Sequence, residues 1–177
     1  MTLTTPETPG ARAVQVWSLH MLSPHWIRPA PARSNEWTLQ LVVEDKAAMS
    51  SRMYREVGGG WSWVDRADWQ DTDWRGWVQR PGHSLTVALV AGECAGYVEL
   101  DRLGPVVEIA YFGLLAPWQG VGLGGWLLTQ ALYAAWAQPG VQCVWVHTCE
   151  LDAPGALANY QARGMRIYRT DVEWRMG

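Results

Sequence analysis

The chain has 177 residues, 49% of them hydrophobic, with a formal net charge of −3 and a pI near 5.8. That size and apolar content suit one domain with a substantial core, and the acidic balance argues against a nucleic-acid partner, which normally demands a basic face. No apolar run approaches the roughly eighteen residues of a membrane span, so no membrane partner is expected.

The first residues, Met1 to Gly10, lack the basic start and apolar stretch of a signal peptide, and a cytoplasmic protein is expected. Cys94, Cys143 and Cys149 are odd in number and contain no CxxC pair, which indicates neither a disulfide framework nor a metal site. Tryptophan is the outlier: thirteen against one phenylalanine, crowded between Trp61 and Trp77. Such a surplus is compatible with a homodimer.

In chain order, residues 1–12 read as a flexible tail, and Ala13 to Leu22 alternates loosely as a first strand would. Pro24 to Pro31 is a proline-punctuated loop, followed by a strand over 37–43. Asp45 is placed to cap a helix over 46–57 with Met49, Met53 and Val57 on one stripe, and Gly58-Gly59-Gly60 stops it. The loop from Trp61 is expected to be floppy unless something packs on it. A short helix spans about 71–79 and closes at Pro81-Gly82.

Residues 84–90 and 94–101 read as a hairpin turning at Ala91-Gly92-Glu93, and 106–114 as a third adjacent strand after Gly104-Pro105. A helix over 124–137 presents Leu127, Leu128, Ala131, Leu132 and Ala135 on a broad apolar face. Residues 141–149 are mostly apolar, as in a strand buried on both faces. A helix over 155–163 and a strand over 166–175 follow. There is no internal repeat.

The stretch from Glu108 to Gly125 runs from an apolar strand into a glycine-rich turn and then a helix. Glycines let the backbone approach an anion, and the free N–H groups of the helix's first turn point at it with a favourable dipole behind them. A phosphate-bearing ligand is therefore expected. Gly120-x-Gly122-x-x-Gly125 formally satisfies the dinucleotide fingerprint, with Glu150 placed to hold a ribose, but the residues after Gly125 are too few for the two-halved fold that fingerprint serves.

Gln119-x-x-Gly122-x-Gly124 instead fits the Gln/Arg-x-x-Gly-x-Gly/Ala pattern of acetyl-coenzyme A enzymes, and Asp152 to Met165, with Tyr160 and a closing Tyr-x-x-x-Gly-Met, extends the likeness. In these motifs, covering about Val106 to Tyr168, the chain resembles the GNAT superfamily of N-acetyltransferases. It departs from the family's habits at Gln119 (Arg is commoner), Ala116 (often Pro) and Met165 (Phe). The resemblance implies a single-domain α/β (α+β) fold. Its mixed, mostly antiparallel central sheet would be splayed between the family's fourth and fifth strands, here 106–114 and 141–149, with helices on both faces.

The resemblance also implies acetyl-coenzyme A as co-substrate, with no metal. Gly120, Val121, Gly122, Leu123, Gly124 and Gly125 would give backbone N–H groups to its pyrophosphate, and Gln119 a side-chain donor. Residues 112–115, among them Phe112, Leu114 and Leu115, would pair with the pantetheine arm, a backbone N–H near Leu114 polarising the thioester carbonyl. Asn159 is a further cofactor contact.

Glu108 shares a strand face with Ala110, Phe112 and Leu114, so desolvation should raise its pKa, and its register before Gln119 looks like that of the base glutamate in histone-type members. The alternative is a strand-end glutamate facing water or pairing with Arg102. Tyr160 stands where the family keeps the acid that protonates the leaving thiolate; the alternative is a helix tyrosine packed in the core. His147 and Cys149, two apart on one strand, offer a competing thiolate–imidazole pair, poorly oriented for proton transfer.

By the family's layout the acceptor pocket comes from helix 46–57 and the loop after it, with Trp61, Trp63 and Asp65 as candidate contacts. The wider set Trp69, Trp74 and Trp77, interleaved with Asp68, Asp71 and Asp73, would suit a cationic amine, or equally an acidic helix face over buried tryptophans. The expected activity is acetyl transfer to a primary amine of a small molecule or peptide. A non-catalytic acyl-coenzyme A sensor is the alternative.

Overall fold

The computed structural model describes residues 11–176. The tail expected over 1–12 lies outside the described residues except for Ala11 and Arg12, which belong to a strand. The strands are β1 (Ala11–Met21), β2 (Trp37–Leu41), β3 (His83–Val90), β4 (Glu93–Leu103), β5 (Val106–Leu114), β6 (Cys143–Cys149) and β7 (Arg166–Met176). The helices are α1 (Lys46–Gly58), α2 (Asp71–Val78), α3 (Leu123–Trp136) and α4 (Ala156–Ala162). None is long and apolar enough to cross a membrane.

All strands join one sheet in the order β2-β3-β4-β5-β6-β1-β7. Every adjacent pair is antiparallel except β5 and β6, which run parallel and pair only from Val106 with Cys143 to Glu108 with Trp145. Beyond Glu108 the two strands part, so the sheet is split where the sequence anticipates. β1 threads between β6 and β7, with Leu19 opposite Val146 on one side and Ile167 on the other.

Alternation along the strands sends side chains to two apolar layers. Val98, Leu100 and Ile109 join Leu127, Leu128 and Leu132 of α3 and Tyr160 of α4, whereas Leu85, Val87, Tyr97 and Tyr111 join Met53 and Val57 of α1 and Trp74 and Trp77 of α2. Helices therefore cover both faces. The β3–β4 hairpin turns at Ala91 and Gly92, both with positive φ (50° and 85°), as a tight two-residue turn between right-twisted strands requires.

One expectation needs correction, and one conditional expectation meets its condition. Asp45 does not cap α1 through its side chain: its backbone is left-handed (φ 48°) and its carboxylate makes no capping bond. Lys46 anchors the helix start instead, its Nζ donating to the carbonyls of Val78 (3.0 Å) and His83 (3.2 Å). The loop after α1 is held, because groups do pack on it. The Tyr54 hydroxyl donates to Asp65 Oδ1 (2.7 Å) and accepts from the Arg66 amide (3.1 Å), and the Trp63 ring packs on Tyr54 and Tyr111, 5.5 Å from each centroid.

Candidate active site

Where β5 and β6 part, the sheet opens into a cleft of about 800 Å³ that runs from Trp61 and Trp63, past Glu108, to the glycine turn and Tyr160. At the glycine end β5 leaves the sheet at Leu114 and reaches Gly122, which precedes α3 with φ 93°, a left-handed conformation that favours glycine. Among the described residues no side chain caps α3, so its first N–H groups stay free to meet an anion. The side chain of Leu123 is wholly buried and that of Val121 is exposed, which leaves only their main chain to serve the turn.

Gln119 turns back to brace the strand, its Nε2 donating to the Leu114 carbonyl at 3.2 Å. The Leu115 amide is taken by Ala95 (2.9 Å). Since neighbouring residues of a strand offer their amides to opposite edges, those of Leu114 and Phe112 face the split. The Asn159 amide ties α4 to the turn by donating to the Gly124 carbonyl (3.2 Å).

Two cations that no motif marks also stand at this end. A Cβ on Gly122 would lie 2.7 Å from the guanidinium carbon of Arg33, and one on Gly125 would lie 2.7 Å from Nη1 of Arg163. The Nε of Arg163 is buried without a hydrogen-bond partner. Arg33 sits in the proline-rich loop before β2, and that loop is pinned over the turn by the bonds of Ala30 N to Thr129 Oγ1 and of Arg28 N to the Arg163 carbonyl, both 3.0 Å. Only folding brings it to Gly122.

Glu108 occupies the last paired position before the split. Burial pushes its carboxyl above the ordinary carboxylate range, an effect offset in part by His147, whose Nδ1 lies 3.8 Å from Oε1. Arg102 is engaged elsewhere, with the carbonyls of Gly104 and Pro139. Tyr160 is almost wholly buried on the cleft wall, its ring centroid 6.0 Å from that of Phe112. Burial, reinforced by the charge of Asp152, drives its phenol upward, so the group holds its proton throughout the neutral range.

His147 and Cys149 both line the cleft, yet His147 faces Glu108, and burial raises the Cys149 thiol away from the reactive thiolate. All three cysteines are free, and among the described residues no group of three or more His, Cys, Asp or Glu could hold a metal.

At the far end Trp61, Trp63 and Asp65 line the cleft. Trp63 spans it, its Nε1 donating to Asp152 Oδ1 (3.1 Å). Trp74 and Trp77 are core, and Asp68 in the preceding loop and Asp71 and Asp73 in the first turn of α2 are exposed, so this segment presents acidic groups outward over buried tryptophans. Beneath it the fully buried Glu99 accepts from Ser50 Oγ (2.6 Å) and Trp77 Nε1 (2.5 Å) and lies 2.8 Å from His83 Nε2. Arg66 and Arg80 also line this end. Sequence reasoning missed Glu99, Arg66 and Arg80; strand parity could have placed Glu99 inward beside Tyr97, but nothing marked the arginines.

A mixed sheet split between two parallel strands, with a glycine turn opening the helix that joins them, is the architecture of the GCN5-related N-acetyltransferases. Residues 48–165 match the Acetyltransferase (GNAT) family, and the chain belongs to it. Its fold is similar to that of a GCN5-related N-acetyltransferase from Sphaerobacter thermophilus (TM-score 0.70, 19% identity, 92% of this chain and 51% of that one). It is also similar to one from Kribbella flavida (0.66, 18%, 93% and 59%). An aminoglycoside acetyltransferase from an uncultured soil metagenomic sample aligns with a TM-score of 0.61 at 17% identity, over 73% of this chain and 88% of that one. The chain thus spans only 51% and 59% of the first two structures. No curated protein sequence matches it.

Proposed function

We propose that the protein is an N-acetyltransferase that moves an acetyl group from acetyl-coenzyme A directly to a primary amine of a small molecule or peptide. The observation that carries this reading is one continuous cleft lined by an uncapped glycine turn, a carboxyl with a raised pKa and a protonated phenol. The residues suit the donor. The free amides of α3 and the side chains of Arg33 and Arg163 match a pyrophosphate, and the unpaired edge of β5 from Phe112 to Leu114 matches an amide-bearing arm.

Acetyl-coenzyme A supplies an activated acyl group as a thioester. Glu108, directly or through a water it orders, takes a proton from the acceptor ammonium so that the nitrogen lone pair can form the new C–N bond. The Leu114 amide is the candidate donor to the carbonyl oxygen, and Tyr160 gives its proton to the sulfur as the C–S bond breaks. The cleft continues past Glu108 to Trp61 and Trp63, room that a mere acyl sensor does not need.

Calorimetric titration with acetyl-coenzyme A, with NAD as control, followed by thiol release across an amine panel, tests the reading. Micromolar binding to the coenzyme alone with amine-dependent thiol release is expected; binding to NAD alone sinks it.

A further inference from the structure

We propose that the acceptor amine carries a carboxylate and that Arg66 and Arg80 bind it, an inference that rests on the acetyltransferase reading above. The ring faces of Trp69 and Trp77, which would suit a cationic acceptor, are already covered by the protein's own cations. The Arg66 guanidinium carbon lies 3.9 Å from the Trp69 ring centroid and 4.1 Å from that of Trp77, and the Arg80 guanidinium carbon lies 3.8 Å from Trp77. A substrate entering past Trp61 therefore meets guanidinium groups there.

Arg66 is held as a preorganised fork. Its Nε donates to the Tyr111 hydroxyl, and Asp65 Oδ2 stands 3.7 Å from that same Nε, while Asp65 Oδ1 is occupied by Tyr54. Among the described residues its two terminal nitrogens have no protein acceptor, although the side chain is only 17% exposed. A guanidinium keeps its charge at any working pH, so a half-desolvated fork with both terminal amines free is suited to a bidentate anion.

Arg80 brings a second positive charge, its Nη2 bound to Asp101 Oδ2 at 2.5 Å, and Asp101 is the strand partner of Glu108. The anion seat thus adjoins the candidate base, as an acceptor with its amine and its acid a few bonds apart requires. Asp65, Asp101 and Glu108 already surround the two arginines. A phosphate's second charge would face these carboxylates and the buried Glu99 besides, whereas a carboxylate brings the smallest charge that a guanidinium fork takes in bidentate fashion. An amino-acid-like zwitterion is the class that fits.

The test uses matched pairs, each amino acid beside the amine left when its carboxyl is removed (phenylalanine with phenethylamine, ornithine with putrescine), plus phosphoethanolamine. Binding is read by tryptophan fluorescence with coenzyme A present, and turnover by thiol release. The carboxylate member of at least one pair should bind about 10- to 100-fold tighter than its partner, as charge-assisted hydrogen bonds imply. Arg66→Gln should shrink that preference to within about 3-fold, with Arg66→Lys recovering part of it. Arg80→Gln, at a more exposed position, gives the same readout if Arg66→Gln fails to fold.

Equal affinities within every pair, preference for the aminophosphate, or a preference that survives Arg66→Gln and Arg80→Gln would each overturn the proposal. If acetyl-coenzyme A binds but no pair member does, the carboxylate seat is wrong and the transferase reading stands. If acetyl-coenzyme A itself fails to bind, both fall.

Discussion

The two ends of the cleft are built from different material. At the glycine end the working surface is mostly main chain, with Arg33 and Arg163 beside it: Leu123 contributes only backbone, Gln119 spends its side chain on the Leu114 carbonyl, and Gly122 matters for what it lacks. At the tryptophan end it is side chain: Arg66 lies against Trp69, Trp77 and Tyr111, and Glu99 holds Trp77 from below. A backbone site constrains sequence tightly because few residues permit its geometry. A side-chain site can be assembled from many combinations, so the acceptor end carries no motif.

Substituting Gly122 by Asp attacks the main-chain end most directly. It forces a left-handed conformation on a residue with a Cβ, drives that Cβ toward Arg33 and places negative charge in the anion seat. Calorimetry should show acetyl-coenzyme A binding lost; retained binding would mean that the backbone does not define this end.

Tyr160→Phe should keep the coenzyme's affinity and lower kcat by roughly 10²-fold. Equal rates in the two proteins would return Tyr160 to a packing role.

Glu108→Gln should lower kcat by about 10- to 100-fold and flatten its pH profile. Only the ionised carboxylate accepts a proton, so the wild-type rate should rise as pH climbs through the elevated pKa and the variant should lose that limb; identical profiles would remove Glu108 from the mechanism. Stability gives a second check. A carboxyl whose folded pKa is raised contributes stability that is full below the ordinary value, about 4.3, and is lost as pH rises through the folded value. Urea unfolding should therefore find the two proteins alike near pH 4 and the variant modestly more stable at neutral pH.

Arg33→Ala should have the smallest effect, weakening acetyl-coenzyme A about 3- to 10-fold at low ionic strength and less at high salt, since this arginine is exposed and screened. A salt-independent loss would point to loop packing instead.

Much of the fold was legible because local rules and burial agreed. The apolar face of α3, the glycine stop after α1 and the Ala91-Gly92 turn each express one local requirement. The partners of β1 were not legible, because alternation specifies a buried face and not a neighbour. Asp45 misled because a good capping residue competes with the tertiary pull of Lys46 on Val78 and His83. Within the candidate site, the turn, Glu108 and Tyr160 could be placed from motif and spacing, but not the strand face of Glu108: a register shift between Ile109 and Tyr111 puts Phe112 and Leu114 in the same layer as Val107 and Ile109, opposite Glu108. Arg33 and Arg163 could not, since one comes from a loop far back in the chain.

The position of β1 bears on synthesis as well as structure. Its neighbours β6 and β7 are the last strands of the described chain, so a strand made early waits, with Val14, Val16, Leu19 and Met21 uncovered, while the β2–β5 meander is completed. At roughly 5–20 residues per second the wait is on the order of ten seconds. Throughout it this apolar strand keeps two open edges, and it is the segment that a chaperone would shield and that a second nascent copy could capture.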